Sequence, residues 1–178
     1  MIRIVQKIFR KLLKSFGGKY HAVDIPESLF CLNWWYQRVW RINAEVPFSV
    51  HYTTLVSGAN NIVIENDSAS VLKSFAVSGG CYFGIADGST LTIGEDTIWA
   101  WNLSVQTANH DLIDRNKYVT ADIRIGKNCW IGGNVSILPG VELGDHVTVG
   151  ANSVVTKSFP SHVVIAGCPA KIIRELTP

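Results

Sequence analysis

The chain has 178 residues, 47% of them hydrophobic and 17% charged, and its formal net charge is +2. This length suits one core with appendages. No stretch approaches the roughly 18 apolar residues that cross a bilayer, and the N-terminus lacks the continuous apolar segment of a secretion signal, so we expect a cytoplasmic protein. The cysteines lack metal-like spacing, which predicts reduced packing residues rather than disulfides; they are Cys31, Cys81, Cys129 and Cys168.

The first twenty residues are strongly basic, with six Lys and Arg residues and no acid. Residues 1–16 show a helical pattern, which the Gly17-Gly18 pair ends. Its apolar side consists of Ile2, Val5, Phe9, Leu12, Leu13 and Phe16. Such a helix either makes peripheral contact with the inner face of an anionic membrane, or packs its apolar side on the end of the domain or on a neighbouring subunit. The two roles do not exclude each other.

Residues 27–42 combine aromatic and basic side chains, namely Trp34, Trp35, Tyr36, Trp40, Arg38 and Arg41. Clusters of this kind can stack on nucleic-acid bases, but the rest of the chain is acidic and lacks a basic groove. We therefore expect no nucleic-acid partner and predict an aromatic wall beneath the helix or along an interface. Residues 1–45 are assigned to an N-terminal helix and aromatic-rich cap, and residues 46–178 to the main domain.

The main domain contains a six-residue repeat. An aliphatic residue returns at every sixth position, at Ile125, Ile131, Ile137, Leu143, Val149 and Val155. This period is neither that of a helix nor that of a simple alternating strand. It is typical of a parallel β-helix, in which each repeat forms one flat side of a coil and stacked coils bury the aliphatic column.

The repeat becomes less regular towards the N-terminus. It is kept at Ile93, Trp99 and Val105, and then more loosely at Val71, Val77 and Phe83. Residues 47–61 are interpreted as irregular first coils.

The repeat is interrupted once in the C-terminal half, by a polar segment at about residues 106–122. Insertions in a repeat fold project as loops, often on the binding face. This loop contains His110, followed by Asp111 and Asp114. A loop histidine beside carboxylates can serve as a proton acceptor near neutral pH, so His110 is the candidate base.

Three segments carry a family resemblance: VQTANHD at 105–111, the repeats from IGKNCWIGG to VTKSFP at 125–160, and AGCPAKIIRE at 166–175. They resemble the hexapeptide-repeat acyltransferases, most of all the galactoside, maltose and surface-polysaccharide O-acetyltransferases. The resemblance covers roughly the C-terminal half. It implies an all-β fold, a left-handed parallel β-helix. The handedness comes from the resemblance alone, since other parallel crossovers are right-handed in ~98% of cases.

The resemblance also implies an activity: transfer of an acetyl group from acetyl-CoA to a sugar hydroxyl, in surface polysaccharide or lipopolysaccharide biosynthesis. His110 matches the general base, and Asp111 or Asp114 would orient its imidazole. The site would lie between subunits of a homotrimer, with a sugar or polysaccharide as acceptor. An N-acetyltransferase acting on an amino sugar nucleotide or an antibiotic is the alternative, and a non-catalytic β-helix scaffold is a further one.

Several positions match coenzyme A contacts of that family. Trp130 would pack beside the extended arm, Ala151 would offer main-chain contacts, and the Gly132-Gly133 pair would allow close approach of the backbone near the oxyanion. The nucleotide end would be met by Thr156, Lys157, Arg174 and, more weakly, Lys171. Two departures are Gly133, which replaces a serine, and Cys168, where asparagine or valine is usual.

A zinc hydratase of the γ-carbonic anhydrase type uses the same coil and needs a second loop histidine five positions after the first. The residue five after His110 is Arg115. No metal is therefore predicted, because a zinc site needs at least three protein ligands.

Overall fold

The computed structural model describes residues 24–177, in which two α-helices and sixteen strands are formed. Helix α1 is Glu27–Arg38 and helix α2 is Ala69–Val77. Short 3-10 turns cover Ala59–Asn61 and Glu65–Asp67. The helix predicted over residues 1–16 lies outside the described residues. Within residues 24–177, neither α-helix has the length and apolarity needed to cross a bilayer.

Fourteen strands form three sheets, and each sheet is one face of the stack of coils. Sheet A consists of β1 (Leu55–Ser57), β3 (Tyr82–Gly84), β6 (Ser104–Gln106), β11 (Ser136–Ile137) and β14 (Val154–Val155). Sheet B consists of β2 (Ile62–Ile64), β4 (Leu91–Ile93), β9 (Ile123–Ile125) and β12 (Glu142–Leu143). Sheet C consists of β5 (Ile98–Trp99), β10 (Trp130–Ile131), β13 (Thr148–Val149), β15 (Val163–Gly167) and β16 (Ala170–Glu175). The remaining two strands, β7 (Ala108–His110) and β8 (Tyr118–Thr120), form a separate hairpin.

The coils stack in parallel register, and only β16 runs antiparallel to its neighbour within the three sheets. Ile137 pairs with Val155, and Ile131 with Val149, each 18 residues further along the chain. One coil is therefore three six-residue sides. The six aliphatic residues of the repeat are at most 1% exposed, which confirms the predicted β-helix core.

The corners of the coils need left-handed backbone conformations. Asn128, Asn134, His146 and Asn152 have φ between 53° and 60°, and Gly140 has φ of 82°. All five lie three positions after an aliphatic core residue, and asparagine tolerates this conformation better than most side chains. The corner between sheets C and A is also joined by a side-chain ladder, in which Asn102 donates to Asn134 and Asn134 to Asn152.

The looser part of the repeat was interpreted wrongly. Val71 and Val77 lie in α2 rather than in a coil side, whereas Phe83 lies in β3 as expected. Helix α2 closes the end of the stack, and its buried Phe75 packs against Phe83 and Trp99 at ring-centre distances of 4.7 and 4.8 Å.

Helix α1 packs on the same end through side-chain amides. Asn33 donates to the Ala76 carbonyl and accepts from the Tyr52 N–H. Gln37 donates to the Phe48 carbonyl, and its amide oxygen accepts from a neighbouring backbone N–H. These bonds satisfy polar backbone groups that the irregular first coils leave unpaired. The division of the chain at residue 45 stays a prediction.

Candidate active site

The predicted loop at residues 106–122 is an antiparallel hairpin that projects from the corner between sheets A and B. Val105 pairs with Ile137, 32 residues later, so this coil is 14 residues longer than the 18-residue coil that follows. The hairpin is closed at its base, where the Ala121 N–H donates to the Thr107 carbonyl at 2.9 Å. Thr107 is fully buried, and its hydroxyl bonds Ser89 at 2.7 Å. The hairpin therefore projects into solvent from a base that hydrogen bonds hold in place.

His110 is held near the tip of this hairpin by a backbone carbonyl. Its Nδ1 lies 2.7 Å from the carbonyl oxygen of Arg115. A carbonyl oxygen only accepts, so Nδ1 carries the proton and donates it. The ring also packs against Tyr118 at 4.5 Å between ring centres. The imidazole is thereby oriented with its Nε2 lone pair available to take a proton.

The two acids that follow His110 serve the turn. The Asp111 carboxylate accepts the N–H groups of Ile113 and Asp114, both at 2.9 Å. Both hydrogen bonds lower the pKa of Asp111 below its ordinary value, and the bond from the Asp114 backbone N–H has the larger effect. The Asp114 carboxylate pairs with Lys117 at 3.3 Å. The expectation that Asp111 or Asp114 holds the imidazole differs from this geometry, in which the Arg115 carbonyl accepts the hydrogen bond from Nδ1–H.

His110 lines two concave surfaces, one on each side of the hairpin. The acceptor pocket, as we name it, has a volume of about 440 Å³ and faces sheet A. Its polar side chains are Ser57, Tyr82, Gln106, Tyr118 and His110. The second surface, of about 500 Å³, is lined by Asn109, Asp111 and the apolar residues Leu112, Ile113 and Val119.

The sequence did not point to Tyr82, Gln106 or Tyr118. Tyr82 and Gln106 each lie next to a buried core residue of their strand, at outward positions that alternation along the strand could have indicated. Tyr118 is the direct cross-strand partner of His110, which becomes visible only once the hairpin register is known.

The outer face of sheet C carries a row of cross-strand neighbours that runs from Trp130 to Arg174. Trp130 pairs with Thr148, Thr148 with Val164, and Val164 with Arg174. Three strand spacings separate Trp130 from Arg174, about 14 Å. Both side chains are exposed, and Lys171 lies on β16 beside Arg174, opposite Ala166. This face can support an extended molecule with an aromatic contact near one end and cations at the other.

The two glycines at the corner between sheets C and A have different surroundings. A Cβ on Gly132 would lie 2.6 Å from the backbone nitrogen of Ala151, whereas one on Gly133 would meet nothing nearer than the Trp101 carbonyl at 3.4 Å. The N–H of Gly132 already donates to the Val149 carbonyl at 2.8 Å. Gly132 is therefore explained by the close packing of coils, and Gly133 leaves space at the surface.

The remaining candidates lie at a different corner. Thr156 and Lys157 directly follow β14 and are exposed at the corner between sheets A and B. Lys157 Nζ lies 5.6 Å from the ring centre of Phe159. Within one chain, sheet A separates these two residues and the His110 hairpin from Trp130, Gly132, Gly133, Ala151, Lys171 and Arg174. Among residues 24–177, no group of three or more His, Cys, Asp or Glu side chains is placed to hold a metal ion.

Comparison with known proteins identifies the repeat. The model of the bacterial transferase hexapeptide family (six repeats) matches residues 122–157. The galactoside O-acetyltransferase of Escherichia coli (strain K12) is 41% identical over 96 residues, 52% of this chain and 47% of that protein. WbbJ of the same organism, provisionally named a lipopolysaccharide biosynthesis O-acetyl transferase, is 38% identical over 107 residues, 53% of this chain and 55% of that protein.

A solved structure agrees with the fold. The maltose O-acetyltransferase of Clostridium difficile 630 superposes with a TM-score of 0.51 and 33% identity, over 71% of this chain and 61% of that one. These matches define the class of the molecule: an all-β, left-handed parallel β-helix built on hexapeptide repeats. The resemblance to the hexapeptide-repeat acyltransferases predicted from the sequence is thus confirmed. The chain spans about half the length of the two curated relatives.

Proposed function

We propose that this protein is an acetyl-CoA-dependent O-acetyltransferase that acts on a sugar hydroxyl, with His110 as general base. The observation that carries the proposal is the bond from His110 Nδ1 to the Arg115 carbonyl, because it leaves Nε2 as a proton acceptor beside a polar pocket. A general base of this kind needs a fixed tautomer and a neighbouring site for the acceptor hydroxyl.

In the proposed reaction, His110 Nε2 takes the proton of the acceptor hydroxyl while the hydroxyl oxygen attacks the thioester carbonyl. The new C–O bond forms, the C–S bond breaks, and the departing thiolate takes the proton back from the imidazolium. The Nδ1–H···O=C bond to Arg115 stabilises the imidazolium during this transfer. The N–H of Gly133 is the candidate donor to the oxyanion, since the N–H of Gly132 is already bonded within the stack.

We propose that acetyl-CoA lies along the outer face of sheet C. Trp130 would pack against its extended arm, and the guanidinium of Arg174, with Lys171, would bind phosphate groups at the nucleotide end. Ala151 lies at the same edge, exposed, and would offer main-chain contacts.

A homotrimer would complete the site. The His110 hairpin, with Thr156 and Lys157, lies at one corner of the chain, and the sheet C row lies beyond the other edge of sheet A. In a cyclic assembly the corner that carries the hairpin in one subunit would meet the sheet C row of its neighbour. This separation supports the proposal that the active sites lie between subunits.

The acceptor pocket favours a neutral hydroxyl group over a protonated amine. Apart from His110, its polar side chains are the hydroxyls of Ser57, Tyr82 and Tyr118 and the amide of Gln106. A sugar presents matching donors and acceptors, and a carboxylate that would attract an ammonium group is missing from this lining. Together with the names of the relatives, this supports a role in surface polysaccharide or lipopolysaccharide biosynthesis on the cytoplasmic side of the membrane.

The test is thiol release from acetyl-CoA by the purified protein with galactosides, maltose and amino sugars as acceptors. We expect His110→Asn to lower kcat/KM by about 10²–10⁴-fold. His146→Asn is the matched control, since His146 is also exposed and lies at a corner with φ of 57° that asparagine adopts readily. Near-normal turnover by His110→Asn would refute the base, and preferential acetylation of amines would refute the assignment as an O-acetyltransferase.

A further inference from the structure

The side of helix α1 that faces solvent is apolar. Its buried side carries Phe30 and the amides of Asn33 and Gln37, while Leu32, Trp35 and Val39, the residue after the helix, lie on the opposite side and point to solvent. A surface helix ordinarily presents charged and polar residues there. Contiguous exposed apolar surface of this kind often marks an interaction site.

The apolar surface continues beyond the end of the helix. Trp40 and Ile42 lie in the following turn, and the five side chains are between 39% and 66% exposed. We call this surface the outer α1 face, defined by Leu32, Trp35, Val39, Trp40 and Ile42. Arg38 and Arg41 lie within the same stretch and are also exposed, and no acid occurs between Leu32 and Ile42.

Charge and residue type together favour one occupant of this face. Residues 1–42 hold eight of the sixteen basic residues of the chain but only two of its fourteen acids. The rest of the protein is net acidic, so charge alone would also admit a second copy of the chain, and the residue types on the face distinguish the two occupants. Tryptophan and arginine together are typical of surfaces at the headgroup level of a bilayer, where anionic lipids attract the basic groups.

We propose that the outer α1 face docks on the surface of an anionic lipid membrane. Trp35 and Trp40 insert their rings at the level of the headgroups, and Arg41 pairs with a lipid phosphate. At twelve residues α1 is too short to cross a bilayer, and it lies in the interfacial plane. This contact is a surface separate from the proposed catalytic site.

A cavity beside Arg41 lies between the end of the outer α1 face and the acceptor pocket. It has a volume of about 510 Å³, is lined by Arg41, Asn43 and Leu55, and shares Ser57 with the acceptor pocket. If the proposed function holds, an acceptor carried on a membrane lipid enters along this path and reaches His110 without leaving the bilayer surface.

The test uses the full chain and co-sedimentation with vesicles of phosphatidylcholine, with and without phosphatidylglycerol. We expect binding only to the anionic vesicles, weakening as salt is raised. The double variant Trp35→Gln/Trp40→Gln should bind them at least about tenfold more weakly, because two interfacial aromatic rings are lost. Trp101→Gln is the matched control: Trp101 is 55% exposed on the β-helix and should leave binding unchanged.

Three results would overturn the proposal. The first is that the wild type does not bind anionic vesicles. The second is that the double variant binds them as well as the wild type does, which would mean that residues 1–20 alone account for the contact. A lower oligomeric mass of the double variant in sedimentation equilibrium would show instead that the face contacts protein. The membrane readout does not depend on turnover, so its failure is distinct from failure of the proposed enzyme, and far-UV circular dichroism checks that the variants fold.

Discussion

Replacing Gly132 by alanine tests whether the corner between sheets C and A is set by the packing of coils. The added methyl group would lie 2.6 Å from the backbone nitrogen of Ala151 and 2.9 Å from the Val149 carbonyl oxygen. Both are backbone atoms of the next coil and cannot turn away as a side chain would. An ordinary contact begins at 3.4 Å, so the coils must separate where Gly132 and Val149 are hydrogen-bonded.

Forced overpacking of this kind costs typically about 1–3 kcal/mol. With about 2–4 °C of Tm per kcal/mol for a chain of this size, Gly132→Ala should lower the Tm by about 4–8 °C if the cost is about 2 kcal/mol. Gly133→Ala is the matched control, because its methyl group meets its nearest neighbour only at 3.4 Å. That variant should stay within about 0.5 kcal/mol of the wild type.

Thermal unfolding followed by circular dichroism measures both variants. Protomer concentrations must be equal, because assembly contributes to apparent stability. Equal destabilisation by the two substitutions, or no loss of stability in Gly132→Ala, would refute the packing argument and favour a cofactor contact as the reason for Gly132.

Three further predictions follow from hydrogen bonds and burial. Asp111→Asn keeps an oxygen that accepts the turn N–H groups and should retain thiol-releasing activity within about threefold, whereas a loss as large as that of His110→Asn would show that the carboxylate charge itself is needed. Burial raises the pKa of the Cys81 and Cys129 thiols, so iodoacetamide at pH 8 should label exposed Cys168 in the native protein and those two only after denaturation. For the same reason the free energy of unfolding should fall as the pH rises past the ordinary thiol pKa towards the raised one, and native labelling of Cys129 would contradict both expectations.

The core of the β-helix could be predicted because its signal is local and repeated. Each six-residue side places one aliphatic residue inside, so Ile131 and Val149 reveal their burial by spacing alone. The same spacing misled at Val71 and Val77, where a helical pattern competes: Val71, Leu72, Phe75 and Ala76 are all buried in α2, at the separations of one helix face. Two apolar residues six positions apart can occur in a β-helix coil or in an α-helix. The pattern of the residues between them distinguishes the two structures.

The position of the candidate base could be predicted, but its backbone partner and the side chains around it, Tyr82, Gln106 and Tyr118, could not. His110 was found because it interrupts the repeat. Its hydrogen-bond partner is the backbone carbonyl of Arg115. Every residue has a backbone carbonyl, so residue types do not indicate this partner. The row from Trp130 to Arg174 depends on the antiparallel pairing of β16 and on the register shift between Val164 and Ile165. Such a register is decided by tertiary packing, which the sequence encodes only indirectly.

The closed base of the hairpin gives the protein a modular point of variation. Thr107 and Ala121 are bonded to each other, so the chain leaves the stack and returns at nearly the same place. Residues 108–120 can change in length or sequence without shifting the coils on either side, whereas one residue added inside a strand would turn the core side chains outward. If the proposed function holds, acceptor preference can therefore diverge, or be exchanged between relatives by grafting, while the surface that would carry the acyl donor stays as it is.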